Sequence, residues 1–194
     1  MSMLNNKKHV LCEKPAVLKK AQAEELYSLA KENNVVFMEA VKTAYCPGFH
    51  AMMAAAKSGK IGRIIDVEAA FSRLTPVNTR EYMAQDYNGS FLEFGSYVCM
   101  PVFELLGCDY DDVRFHSMRA VNGVDAYTKA VFSFGGKSAE VKTGLGVKTE
   151  GQLLISGTNG YILAKSPWWL TKEFEIRYED PNKKEVYKYA YEGS

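Results

Sequence analysis

The stretch "HVLCEKPAV", His9 to Val17, decides how the rest is read, because an apolar run (Val10, Leu11, Cys12) stops abruptly at Glu13, Lys14 and Pro15. Residues 9–13 predict a short buried strand. In an α/β protein ligands meet the sheet at strand ends, so a lysine there, held by the proline after it, is placed for chemistry. The ordinary alternative is an exposed lysine in a turn. Downstream, "AVLKKAQAEELYSLAKENN" sets Ala21, Leu26, Leu29 and Ala30 at helical spacing, with Asn33-Asn34 as its stop. "VVFMEAV", 35–41, is a second continuous apolar run. Strand, helix and strand in this order predict a βαβ unit, with parallel strands covered on both faces.

From Cys46-Pro47-Gly48 the pattern changes. Phe49, Met52, Met53 and Ala56 mark a helix that ends at Ser58-Gly59, and "GRIIDVEAAFSR" reads as a long strand. A polar loop is expected around 75–90, then a helix over 91–106 that closes at Gly107. Pro101 within it predicts a kink or opening, since proline cannot donate to the carbonyl of Tyr97. Seven alternating segments follow, "DVRFHSMRAV", "AYTKAVFSF", "SAEVKTGLG", "GQLLISG", "GYILAK", "FEIRYED" and "EVYKYAYEG", divided by Gly- and Asn-rich turns. They predict an antiparallel meander. The fold class is therefore α+β: a large open, mostly antiparallel sheet with helices on one face, preceded by a parallel βαβ element. The domain division is 1–46 and 47–194.

Composition narrows the function classes. Lys and Arg number 24 against 23 Asp and Glu, which leaves no basic footprint for nucleic acid or an anionic membrane. No apolar run approaches a membrane span, and the N-terminus has no signal-peptide core. Cys12, Cys46, Cys99 and Cys108 are scattered without a CxxC pair, so buried thiols in a reducing cytoplasm are expected rather than disulfides or zinc. His9, His50 and His116 show no metal-ligand spacing. Gly144-Leu145-Gly146 lies among alternating strand residues, not before a helix, so it is read as a hairpin turn and not a phosphate-binding loop.

"NGSFLEFGSYVCMPVFELLG", 88–107, is the second informative stretch. On a helix Glu93 and Tyr97 stand at i and i+4, so a carboxylate and a phenol share one face. The plain alternative is an acid in its favoured first turn and a tyrosine packed on the sheet. The aromatic stripe Tyr187, Tyr189 and Tyr191 either packs on a helix layer or forms a subunit interface.

In order along the chain, "KKHVLCEKPAV", "VVFMEA", Pro47 and Phe49, "SGKIGRI" and "NGSFLEFGSY" resemble the glucose–fructose oxidoreductase / inositol dehydrogenase (Gfo/Idh/MocA) family, and its dihydrodiol/xylose dehydrogenase branch in particular. The resemblance implies NAD(P)-dependent oxidation or reduction of a sugar-like polyol or dihydrodiol. It makes Lys14, often preceding a cis proline in the family, the catalytic lysine, and Tyr97 the proton-transfer group. The phenol's pKa of ~10 would be lowered by the lysine cation. Glu93 stands at the family's usual aspartate, and Glu13, Lys14 and Pro15 line the cofactor side. Lys14, Glu93 and Tyr97 are expected to converge on one cleft. Lys42 and Ala44 replace residues typical of that branch. The family's first strand, Gly-rich turn and ribose-binding acid, on the order of 100 residues, have no counterpart here, so the chain reads as a fragment that by itself binds NAD(P) weakly or not at all. A homodimer through the open sheet face is the expected partner state, with no nucleic acid or membrane. The rival reading is a non-catalytic module that folds, dimerises or binds a small polyol.

Overall fold

The computed structural model describes residues 1–83 and 88–190. The chain divides into two compact units, Met1–Lys42 and Thr43–Ser194.

In the first unit a short helix α1 (Ser2–Asn5) precedes β1 (Val10–Cys12), α2 (Lys20–Glu32) and β2 (Phe37–Glu39). β1 and β2 pair in parallel, Val10 opposite Phe37 and Cys12 opposite Glu39. Leu4, Ala30 and Phe37 form its buried cluster. α2 stops where its periodicity ends, and Asn34 takes the left-handed conformation that asparagine tolerates, at φ 54°. The strands are parallel as expected, but they are not covered on both faces. Leu11 is 69% exposed and Val36 49%. The apolar run that predicts a buried strand is thus satisfied on one side only, because α1 and α2 supply one apolar layer.

The second unit opens with α3 (Pro47–Lys57) and β3 (Ile64–Ser72), then α4 (Ser90–Leu106) and seven further strands. These are β4 (Asp112–Arg119), β5 (Asp125–Phe134), β6 (Lys137–Gly144), β7 (Leu153–Gly157), β8 (Gly160–Ala164), β9 (Glu173–Arg177) and β10 (Lys184–Lys188). Within the expected polar loop, Arg80–Tyr82 form a 3₁₀ turn, while residues 84–87 lie outside the described residues. α4 runs through Pro101 to Leu106. The sheet order is β10-β9-β8-β7-β3-β6-β5-β4.

This order corrects the meander. β6 and β7 are not neighbours: β3 lies between them, parallel to β6 and antiparallel to β7. Gly144-Leu145-Gly146 is accordingly no hairpin turn. Leu145 and Gly146 both donate their N–H to the carbonyl of Ala126, and the chain crosses the end of β3 before β7 begins. Local alternation identifies each strand but not its neighbour, and Gly-rich turns suit crossings and hairpins alike.

Register separates the two sheet faces. Val113, Phe132, Ala139, Val67, Ile155, Ile162 and Ile176 align across seven strands. They belong to the main core or pack against it, together with Phe49, Met52 and Met53 of α3 and Val98 and Val102 of α4. The opposite row reads Arg114, Val131, Glu140, Glu68, Leu154, Leu163, Glu175 and Val186. One face is a core and the other is mixed, as antiparallel sheets allow. Glu140 sits opposite Glu68 and forms ion pairs with Lys129 and Lys142. Burial pulls its carboxyl up, but hydrogen bonds from the two lysines outweigh that and hold it below the usual range. Tyr187 and Tyr189 stack on Phe174, on the core side. Packing is therefore the reading that holds for these two, and Tyr191 lies outside the described residues.

Candidate active site

Gly89 explains the start of α4. Its φ is +126°, a region L side chains avoid, and a Cβ there would stand 1.8 Å from Asp125 Oδ1. A glycine in the N-cap position has no side chain with which to cap. Asp125, at the start of β5, supplies the acceptor instead. Its Oδ2 receives the Phe91 N–H at 2.9 Å, the Ser90 hydroxyl at 2.7 Å and the Thr128 hydroxyl at 2.9 Å. Ser90 Oγ also lies 2.9 Å from Thr143 Oγ1 on β6. A carboxylate at the positive end of a helix is favoured electrostatically as well.

One turn in, α4 presents Glu93 and, four residues on, Tyr97. The structure thus brings this predicted pair onto one helical face within one unit. Arg80 Nη2 lies 3.8 Å from Glu93 Oε2, and the glutamate side chain is largely buried while the arginine is exposed. Tyr97 meets Phe71 edge-on at 5.2 Å between ring centroids. Phe71, near the end of β3, stacks between Phe94 at 4.3 Å and Trp169 at 3.6 Å. Trp169 is held through its carbonyl, which accepts the Thr43 hydroxyl at 2.7 Å, while neighbouring Trp168 is fully buried and donates its indole N–H to Ala70 O at 2.9 Å. The phenol and carboxylate therefore stand beside a half-buried aromatic wall. Such a wall can stack on the apolar face of a ring, and a phenol and a carboxylate are groups that can hydrogen-bond hydroxyls.

In the first unit, Glu13, Lys14 and Pro15 follow β1 directly, and the Lys14–Pro15 peptide is cis. Glu13 is exposed, and Lys14 and Pro15 are half-buried. The turn is tied to the neighbouring strand end: Ala16 N–H donates to Glu39 Oε1 at 3.2 Å, and Ala40 N–H to Cys12 O at 2.7 Å. His9 serves structure, its Nδ1 accepting the Val36 N–H at 3.0 Å.

The sequence patterns do not single out Asp125, Arg80, Trp169 or Glu39. Asp125 had one available signal, an acid opening a strand, and Trp169 another, an adjacent tryptophan pair after Pro167. Arg80 and Glu39 carry none beyond their charge. Among the described residues no group of three or more His, Cys, Asp or Glu side chains is gathered to hold a metal, and no helix is long and apolar enough to cross a membrane.

Residues 49–163 match the family described as the GFO/IDH/MocA C-terminal domain, and residues 1–41 match the oxidoreductase family with an NAD-binding Rossmann fold. The chain is 30% identical over 187 residues to scyllo-inositol 2-dehydrogenase (NADP(+)) IolU of Bacillus subtilis, covering 91% of this chain and 55% of that protein. It is 27% identical over 176 residues to trans-1,2-dihydrobenzene-1,2-diol dehydrogenase of Bos taurus, covering 89% and 52% respectively. The chain thus spans about half the length of these curated relatives. Among solved structures, levoglucosan dehydrogenase in complex with NADH and levoglucosan superposes with a TM-score of 0.79 at 18% identity, over 98% of this chain and 56% of that one. KijD10, a 3-ketoreductase from Actinomadura kijaniata in complex with NADP and TDP-benzene, gives 0.79 at 22% identity, over 96% and 59%.

Proposed function

This chain belongs to the GFO/IDH/MocA oxidoreductase family, and from that premise we propose that it supplies the substrate side of an NAD(P)-dependent dehydrogenase acting on a sugar-like polyol or a dihydrodiol. The observation that carries this reading is the pairing of Glu93 and Tyr97 on α4 beside the Phe71–Trp169 stack. Tyr97 takes the proton of the substrate hydroxyl as general base and returns it in the reverse direction. Lys14 steadies the alkoxide as it develops. Glu93, beside Arg80, orients the hydroxyls. We assign residues 1–46 to the nucleotide-binding portion and 47–194 to substrate binding and dimerisation. In the first, the turn of Glu13, Lys14 and Pro15 at a parallel strand end suits the nicotinamide side of a cofactor. NAD(P), when bound, supplies hydride acceptance and donation. The 194 residues carry no Gly-rich strand-to-helix turn to give a pyrophosphate its backbone donors, so we propose that alone they bind the nucleotide weakly and turn over little.

That same sequence feature favours a second reading, a module that binds a polyol without transforming it. The deciding experiment offers a full-length protein carrying these residues scyllo-inositol or trans-1,2-dihydrobenzene-1,2-diol with NAD+ or NADP+, and follows both calorimetric binding and nicotinamide reduction. Turnover lowered about 10²-fold or more by Lys14→Ala and by Tyr97→Phe supports the dehydrogenase. Binding without turnover supports the module, and neither overturns both.

The partner we propose is a second copy through the open sheet face, in the cytoplasm. The mixed row containing Val131, Leu154, Leu163 and the Glu140 ion pairs is typical of subunit interfaces, and all four cysteines are free thiols. A monomer in sedimentation at high micromolar concentration would exclude this dimer.

A further inference from the structure

We infer that Asp125 is a positioning residue for the Glu93–Tyr97 pair, a role that rests on the assignment of that pair above. The helix bearing both groups begins at a residue that cannot cap it. Its N-terminal fixation comes instead from a strand 34 positions further along the chain. A single carboxylate oxygen, Asp125 Oδ2, gathers one backbone and two hydroxyl donors, from Phe91, Ser90 and Thr128. The hydroxyls reach further into the sheet: Ser90 meets Thr143 of β6, and Thr128 meets Ser117 of β4 at 2.8 Å. Ser90 and Thr143 are fully buried and Thr128 nearly so. Three strands thus fix the first turn of α4 through one charge, and Gly89 leaves the room that charge needs. Glu93 is the fourth residue of that helix, and its N–H closes the first backbone bond, to Gly89 O at 3.1 Å. A shift at Asp125 is therefore passed first to Glu93 and then, one turn on, to Tyr97. Hydrogen bonds to ionised acceptors are stronger than neutral ones, so loss of the charge alone loosens this turn.

Asp125→Asn keeps the shape and removes the charge. Amide exchange by mass spectrometry should quicken roughly tenfold or more in the segment 89–97, and less than about twofold in β6 and β7. The ring-carbon NMR signal of Tyr97, assigned through Tyr97→Phe, should move in position or in its pH titration. In turnover of the two substrates above by the full-length protein, kcat should fall with KM nearly unchanged. Should Asp125→Asn fail to fold, Ser90→Ala removes one donor, keeps the carboxylate and is read in the same way. Exchange that rises evenly across the sheet, or a Tyr97 signal that stays in place, overturns the inference. A Tyr97→Phe variant with unchanged turnover instead refutes the catalytic assignment, while exchange at 89–97 still judges Asp125.

Discussion

Within residues 1–42, Leu4, Ala30 and Phe37 make the buried cluster, and an apolar strand residue such as Leu11 stays 69% exposed. In the second unit, Ile155 occupies the middle of a strand just as Leu11 does, yet it is fully buried in a core that runs through α3, α4 and the eight-stranded sheet. The difference lies in how each sheet type is satisfied. A parallel pair calls for an apolar layer on both faces, and α1 with α2 provides one. The antiparallel sheet needs one layer, and its other face is settled by charge, with Glu140 between Lys129 and Lys142. An apolar residue at mid-strand therefore carries different free energy in the two places.

Truncation at a filled position tests this contrast most strongly. Trp168→Ala removes a fully buried indole and its hydrogen bond to Ala70, and should cost about 3–5 kcal/mol in urea unfolding. Phe37→Ala in the small cluster should instead appear as faster amide exchange across β1 and β2. If both variants lowered one common transition equally, the two units would not differ as described. Next in size is Gly89→Ala, which forces a left-handed φ and a clash with Asp125, and should cost about 1–3 kcal/mol by the same measurement.

A smaller effect is expected at the exposed edge of the large sheet. Glu185 accepts hydrogen bonds from Lys60, Tyr187 and Tyr178, in that order of influence, and its carboxyl is held at about 2. Because this folded-state value lies below that of the unfolded chain, near 4.3, the stabilisation is complete above the unfolded value. It is lost as pH falls towards 2. The thermal midpoints of wild type and Glu185→Gln should therefore differ at pH 6 and converge near pH 2. A constant gap would refute the linkage. The smallest change is Leu11→Ser, expected within about 0.5 kcal/mol because the residue is already in water. A cost of the size of a core truncation there would break the comparison from the other side.

What could be read from the sequence was what depends on near neighbours. Each segment's period was legible: Phe49, Met52, Met53 and Ala56 for α3, the alternation of Asp125–Phe134 for β5, and the four-residue spacing of Glu93 and Tyr97. Pairing over distance was not. Nothing local to Ile64–Ser72 tells it to lie beside Lys137–Gly144, and nothing in "DAYTKAVF" announces that its first residue caps a helix 34 positions earlier. The exposure of Leu11 is illegible for a related reason, since an apolar run records what a strand prefers and not which layer meets it.

The insertion of β3 between β6 and β7 carries a consequence for how the chain comes to be folded. β3 is made first of the eight strands, and both of its ladder neighbours follow only after α4, β4 and β5. Leaving the ribosome, it has no strand to bond with and holds its apolar side, Val67 and Ala69, against α3 or α4 at best. The β4-β5-β6 hairpins close over short loops and can form early, whereas capture of β3 by β6 must wait for a long loop to close. Docking of β3 is then the natural slow step, since it alone joins the β7-β8-β9-β10 hairpins to the β4-β5-β6 ones.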